Sequence, residues 1–197
     1  SLILIIVLLL IVNNQTIYAA NPSIESNLGP GEEVFDDLFL QGNEVLVAGH
    51  VHGMLFIIGE KIVIQSGAQI DNDVFLLGRS ILVEEEAKIN GNLYVGGQNV
   101  VVHAPVHLNL VVSSVTLDIG SAVEIGRNLF FGGFHYSQQP GSSIIGNLYA
   151  GGYQLAIHGK VEQNLRVRAV SIDLNGKVEG NAEIAIDASG DDEGSSD

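Results

Sequence analysis

The chain is expected to be all-β, a single-stranded β-helix (solenoid) of about eight to nine turns, each of 17 or 19 residues with three short strands. Three observations predict this. The first is a repeat. Counterparts of Leu93 recur at Leu38, Leu55, Val74, Leu110, Leu129, Leu148, Leu165 and Ala182, so that successive anchors lie 17, 19, 19, 17, 19, 19, 17 and 17 residues apart. The second is a set of apolar columns in that register. Four residues before each anchor stand Val34, Val51, Ile70, Ile89, Val106, Ile125, Ile144, Val161 and Val178, all β-branched, and the position two after it is apolar throughout. Seven and nine residues after it come pairs such as Val45/Val47 and Val100/Val102, broken once, at Tyr136/Gln138. Alternation in short runs is the signature of strands, and no column follows the 3.6-residue period of a helix.

The third observation is the corners. Before the anchors stand Asp37, Met54 and Asp73, then Asn92, Asn109, Asn128, Asn147, Asn164 and Asn181. Asn and Asp suit turns, and stacked amides can build a ladder along the axis. Four residues after most anchors comes glycine, which permits either a positive φ or close approach of adjoining turns. The two-residue difference in turn length falls in one corner: residues 47–51 are a short version, residues 64–70 a long one. An even insertion leaves the inward parity of the strands unchanged.

Taken in order, residues 2–12 are an unbroken aliphatic run of eleven, short of the about 20 residues of a membrane span and matching a secretory hydrophobic region. Residues 1–20 are therefore expected to be a signal-peptide-like segment. Ala19 or Ala20 would supply the cleavage site, and an uncleaved anchor is the other possibility. Because Ser1 stands in place of Met and no Lys or Arg precedes Lys61, this segment is expected to be truncated at its N-terminus. Residues 21–33, with Asn-Pro and Gly-Pro-Gly, are expected to be an irregular cap over the first turn. The β-helix is expected over residues 34–186. Residues 187–197, acidic and without apolar periodicity, are expected to be a disordered tail or a linker.

Composition narrows the function classes. A net charge of −15 argues against nucleic acid as a partner, since binding phosphates needs a basic surface. With no cysteine, disulfides and thiolate metal sites are excluded. No catalytic constellation, cofactor site or metal site is expected. The pairs His52/His107 and His103/His158 share columns but lie three turns apart, about 14 Å at about 4.8 Å per strand. His50 and His52 flank Val51 and can face one way, yet two ligands do not make a site. Asp71, Asp73, Asp36 and Asp37 fall in corner columns, where calcium would need six or more oxygens. Arg166 and Arg168 are expected to lack a matching acid in the same column of the adjoining turn. Lys160/Glu162 and Lys177/Glu179 repeat on adjoining turns and are expected to form surface ion pairs.

One outward feature stands out. The residue after each anchor is Phe39, Phe56, Phe75, Tyr94, Val111, Phe130 and Tyr149, before Arg166 and Glu183 end the series. Flanked by inward positions, this column is expected to point outward as a candidate interaction stripe, with Asn92 to Asn181 as the structural ladder.

The segments at 89–97 (Ile-Asn-Gly-Asn-Leu-Tyr-Val-Gly-Gly) and 144–152 (Ile-Ile-Gly-Asn-Leu-Tyr-Ala-Gly-Gly) resemble the repeats of the bactofilins, polymer-forming β-helical proteins of bacteria. The resemblance covers residues 34–186. It implies a right-handed β-helix and a non-enzymatic scaffold that assembles end to end without nucleotide. Typical bactofilins are cytoplasmic. Beginning with an export-like segment, this chain is more similar to exported or membrane-associated proteins that carry such repeats. The expected function is thus a structural scaffold of the cell envelope, exported and extracytoplasmic, with the alternative of a binding module or polysaccharide-acting β-helix that uses the stripe. The expected partners are other copies of the chain and envelope components. Membrane contact would come only through the N-terminal segment or a missing downstream domain.

Overall fold

The structure is a computed structural model, and it describes residues 27–187. The signal-peptide-like segment, the first part of the expected cap and the acidic tail beyond Asp187 lie outside the described residues. Within them the fold is a β-solenoid with no helix, and hence none long and apolar enough to cross a membrane. One parallel sheet of ten strands runs the length of the molecule in sequence order, from Asn27–Leu28 through Leu38–Val47, Leu55–Ile64 and so on to Ala182–Ile186. A second wall is built from two-residue strands. Glu33–Val34, His50–Val51, Gln69–Ile70 and Lys88–Ile89 form one stretch, and Glu124–Ile125, Ser143–Ile144 and Lys160–Val161 form another. The two stretches join through single bridges from Val106 to Ile89 and Ile125.

Every anchor pairs with the next. Leu38 faces Leu55, then Val74, Leu93, Leu110, Leu129, Leu148, Leu165 and Ala182 follow in turn. The register holds across 17- and 19-residue steps because the extra pair of residues is absorbed in a corner, outside the ladder of hydrogen bonds. Long corners close with a tight turn in which Ala68 donates to the carbonyl of Gln65 at 3.0 Å and Ser142 to that of Gln139 at 3.3 Å. The left-handed positions inside two of these turns are Gly67 (φ 86°) and Gly141 (φ 90°), where a side chain would be strained.

Four expectations need correction. The first concerns strand count. Instead of three short strands per turn there are two, because the runs after the anchor merge into one ten-residue strand. That strand bends: Leu93 and Val95 are buried, Gln98 and Asn99 both face solvent, and Val100 and Val102 are buried again. The second concerns the N-terminal boundary. Asn27–Leu28 already pairs with Leu46–Val47, Leu28 is buried, and residues 28–34 form a long corner in which Glu32 donates to Gly29 at 3.2 Å with Gly31 at φ 78°. The Gly-Pro-Gly run is thus a solenoid corner.

The third correction is a missed inward column. Gly49, Ala68, Ala87, Ala104, Val123, Ser142 and Gly159 are all buried, each two residues before the inward residue of the second wall. Only small side chains fit there, since a Cβ at Gly159 would collide with Gln138 and Ser142. The fourth concerns Tyr136 and Gln138. Their apparent break in the apolar series is not a break in the packing, since both are buried, with the tyrosine hydroxyl 3.4 Å from Gln138 Oε1. Burial alone pushes the Tyr136 hydroxyl pKa upward, so it stays protonated.

The glycines four residues after the anchors serve close approach and not a positive φ. A Cβ at Gly59 would lie 2.7 Å from the carbonyl oxygen of Gly42, and one at Gly97 2.8 Å from that of Gly78.

Candidate functional site

The corner residues before the anchors form a continuous hydrogen-bonded ladder. The Oδ1 of Asp73 accepts both the backbone N–H and the side-chain amide of Asn92, at 2.8 and 2.9 Å. Asn92 does the same for Asn109, Asn109 for Asn128, Asn128 for Asn147 and Asn147 for Asn164, all between 2.8 and 3.1 Å. Asn181 ends the series, giving its backbone N–H to Asn164 at 3.1 Å. Asp73 can begin the ladder because its first member only accepts. One oxygen satisfies two donors on the next turn, so each corner is tied to its neighbour by side chain as well as by sheet.

The aromatic column lies on the outer face of the long sheet. Phe39 is 59% exposed and Phe130 40%, whereas Phe56, Phe75, Tyr94, Val111 and Tyr149 are half-buried. Their rings cover one another: Phe56 stacks on Phe75 at 4.4 Å, Phe75 on Tyr94 at 4.7 Å and Phe130 on Tyr149 at 5.0 Å, all within 9° of parallel. Val111 separates the two stacks. Phe75 has a ring on each face, whereas Phe56, Tyr94, Phe130 and Tyr149 each have a ring on one face. Two residues further along the same strands, Ile58 and Leu77 are about half exposed, followed in that column by Gly96, Ser113, Gly132 and Gly151.

This change in side-chain size carves an open groove of about 730 Å³. Gly132 and Gly151 lie on its floor, where an added Cβ would meet nothing within 4 Å. Val111, Phe130 and Tyr149 line one side, and Arg166, Arg168 and Glu183 close the C-terminal end. Beyond the glycines on the same strands, Phe134 and Tyr153 stack at 4.7 Å and are each 47% exposed. The expectation that the arginines lack an acid in their own columns is overturned for Arg166, whereas Arg168 faces Ala185 in its column and finds its acid outside it. Arg166 reaches Glu183 at 2.7 Å, one turn on in its own column, and Arg168 reaches Asp187 at 3.3 Å. The lysine pairs form as expected, with Lys160 bridging Glu162 and Glu179 at 2.9 and 3.1 Å and Lys177 meeting Glu179 at 3.0 Å.

A third assembly, missed in the sequence, lies on the second wall. His50 and His52 flank buried Val51, so both project outward, and their rings lie 3.8 Å apart. Asp71, one turn on in the column of His52, places Oδ2 at 2.9 Å from both His50 Nε2 and His52 Nδ1. Its other oxygen accepts from Gln69 at 3.1 Å and Asn90 at 3.2 Å. The Gln69 hydrogen bond, with help from His50 and His52, holds the Asp71 carboxyl at about 2, below its usual 3.8. Phe35 stacks on His52 at 4.7 Å. The remaining ring nitrogen of His52, Nε2, is buried without a hydrogen-bond partner, and the nearest carboxylate oxygen, Glu33 Oε2, is 3.9 Å away. The signal was available: Phe35, His52, Asp71 and Asn90 all stand three residues before an anchor. A histidine-to-histidine comparison does not reveal the cluster, because the partner of His52 in its column is an aspartate. No family model, no curated protein and no solved structure matches this chain.

Proposed function

We propose that this chain is a non-catalytic structural scaffold, a bactofilin-like β-solenoid that is exported and assembles with other copies of itself at the cell envelope. The observation that carries this is the C-terminal end of the described solenoid. In the preceding turns the inward columns are nearly sealed: Leu148, Leu155 and Ile157 are 0% exposed and Val167 3%. In Ala182–Ile186 the same face is open, with Ile184 at 43% and Ile186 at 63%. That strand is the last in its sheet, so one row of its backbone groups has no strand partner among the described residues. An apolar, unpaired strand edge is a template for another chain. A second copy stacking there continues the sheet and covers both isoleucines.

Light scattering and negative-stain imaging across a salt series test this. The chain should form elongated particles, more readily in salt, which screens the repulsion among its acidic groups. Ile184→Asp with Ile186→Asp should leave the fold intact and abolish elongation. A strictly monomeric wild-type particle at every salt concentration defeats the scaffold proposal.

A second reading, an extracytoplasmic binding module for polysaccharide, draws on the groove. A glycine floor beside stacked aromatics, with charged groups at one end, suits a flat, hydroxylated chain laid along the solenoid. Titration with soluble cell-wall glycans separates the two, because this module should bind as a monomer and lose binding on Phe130→Ala or Tyr149→Ala.

A further inference from the structure

We infer that His50, His52 and Asp71 form a binding site for a late first-row divalent cation of the Zn2+ class, with Glu33 as the supporting carboxylate. The three ligand atoms lie within 4.8 Å of one another, and both histidine nitrogens already converge on one oxygen at 2.9 Å. A cation at about 2.0–2.1 Å from each atom would separate them by about 3.3 Å, the edge of a tetrahedron of that size. The two histidine–aspartate edges therefore need to open by only about 0.4 Å. All three are partly accessible, at 24%, 32% and 30% for His50, His52 and Asp71, so an ion can enter from solvent.

The donor set decides the class. Two imidazoles and one carboxylate suit Zn2+ and its neighbours, whereas Ca2+ and Mg2+ require oxygen ligands. Three protein ligands leave a fourth position for water or another small donor.

The orphaned nitrogen of His52 is an independent pointer to the cation. Without an ion, Nδ1 must carry the proton, since it faces a carboxylate, and Nε2 is left as an unpartnered acceptor. When an ion takes Nδ1, the proton moves to Nε2, which then becomes a donor facing Glu33 Oε2 at 3.9 Å. A metal-bound histidine ordinarily gives its second N–H to such a carboxylate. Cation binding thus turns the one buried unsatisfied side-chain atom found among the described residues into a donor, which the Glu33 carboxylate satisfies once it closes in from 3.9 Å. The hydrogen bonds of Gln69 and Asn90 to the far oxygen of Asp71 fix that ligand while leaving Oδ2 directed at the two histidines, where the ion would sit. The stack of Phe35 on His52 holds the imidazole plane.

The test is titration of the full chain, without an affinity tag, with Zn2+ by calorimetry and with Co2+ by visible absorption. The expected result is one ion per chain and the intense d–d bands of four-coordinate Co2+. Replacing His52 or Asp71 (His52→Gln, Asp71→Asn) should weaken Zn2+ binding by more than about 100-fold, and Glu33→Gln by about 10-fold. The remote variants His103→Gln and His107→Gln should bind as wild type. Circular dichroism verifies that each variant retains the fold. Absence of saturable binding by the wild-type chain overturns the assignment, as does unchanged affinity in Asp71→Asn or equal loss in the remote variants.

Discussion

Replacing Asn128 by alanine cuts the corner ladder at its middle, and the loss can be counted bond by bond. Asn128 gives its side-chain amide to Asn109 at 3.1 Å, and its own oxygen accepts two donors from Asn147, both at 2.9 Å. Its backbone N–H keeps Asn109 as acceptor, because alanine retains that group. Three hydrogen bonds therefore disappear, each with a net value of about 0.5–1.5 kcal/mol, for a total of roughly 1.5–4.5 kcal/mol. The upper half of that range applies if the part-buried backbone N–H of Asn147 finds no water. Asn181→Ala makes the comparison fair. The side chain of Asn181 donates and accepts no hydrogen bond among the described residues, so its loss should cost no more than about 0.5 kcal/mol.

Equilibrium urea unfolding followed by circular dichroism reads both variants in the same chain. A cost of about 3 kcal/mol in Asn128→Ala should also lower the melting temperature by about 6–12 °C, at about 2–4 °C per kcal/mol for a chain of this size. Stacked repeats can unfold in stages, so coincidence of two spectroscopic probes should be checked first. Equal midpoints for Asn128→Ala and Asn181→Ala would refute the reasoning, because an ordinary polar corner has no reason to care about its place in a ladder.

Two further predictions rest on burial and charge. Val95→Asp and Leu148→Asp, at positions 6% and 0% exposed, should cost several kcal/mol each by burying an unpaired charge, whereas Gln98→Asp on the solvent side should be tolerated; similar thermal melts for all three would defeat the register. Asp71, with its carboxyl depressed from 3.8 to about 2, should contribute stability that is fully present above about pH 4 and lost as pH falls toward about 2. The gap in urea midpoint between wild type and Asp71→Asn should therefore narrow over that window, and a gap independent of pH would show that the four donors on this carboxylate contribute nothing.

What was legible in the sequence follows from how a solenoid is built. Each residue meets its counterpart one turn away, so a fixed offset is also a spatial contact, and large aliphatic side chains mark their columns by repetition. Leu38 to Ala182 could be aligned for that reason, and the hydrogen bonds of Asn92 to Asn181 follow from the same alignment. What escaped notice carries no such mark. The inward column from Gly49 to Gly159 passes through Gly, Ala, Val and Ser, united by small volume and not by hydrophobicity, and volume becomes a constraint only once the Gln138 side chain is seen to fill the adjoining space. The glycines and proline of the corner at Gly29 to Glu32 carry the composition of an irregular segment, although Leu28 and Val34 are spaced as Ile64 and Ile70 are. At His50, His52 and Asp71 the columns align, but the groups that complement one another differ in type and so do not repeat down a column. Adjoining turns are only about 4.8 Å apart, so unlike residues in one column touch directly. On a solenoid, a site is found by reading across each outward column for groups that complement one another, and both this cluster and the Arg166–Glu183 pair satisfy that rule.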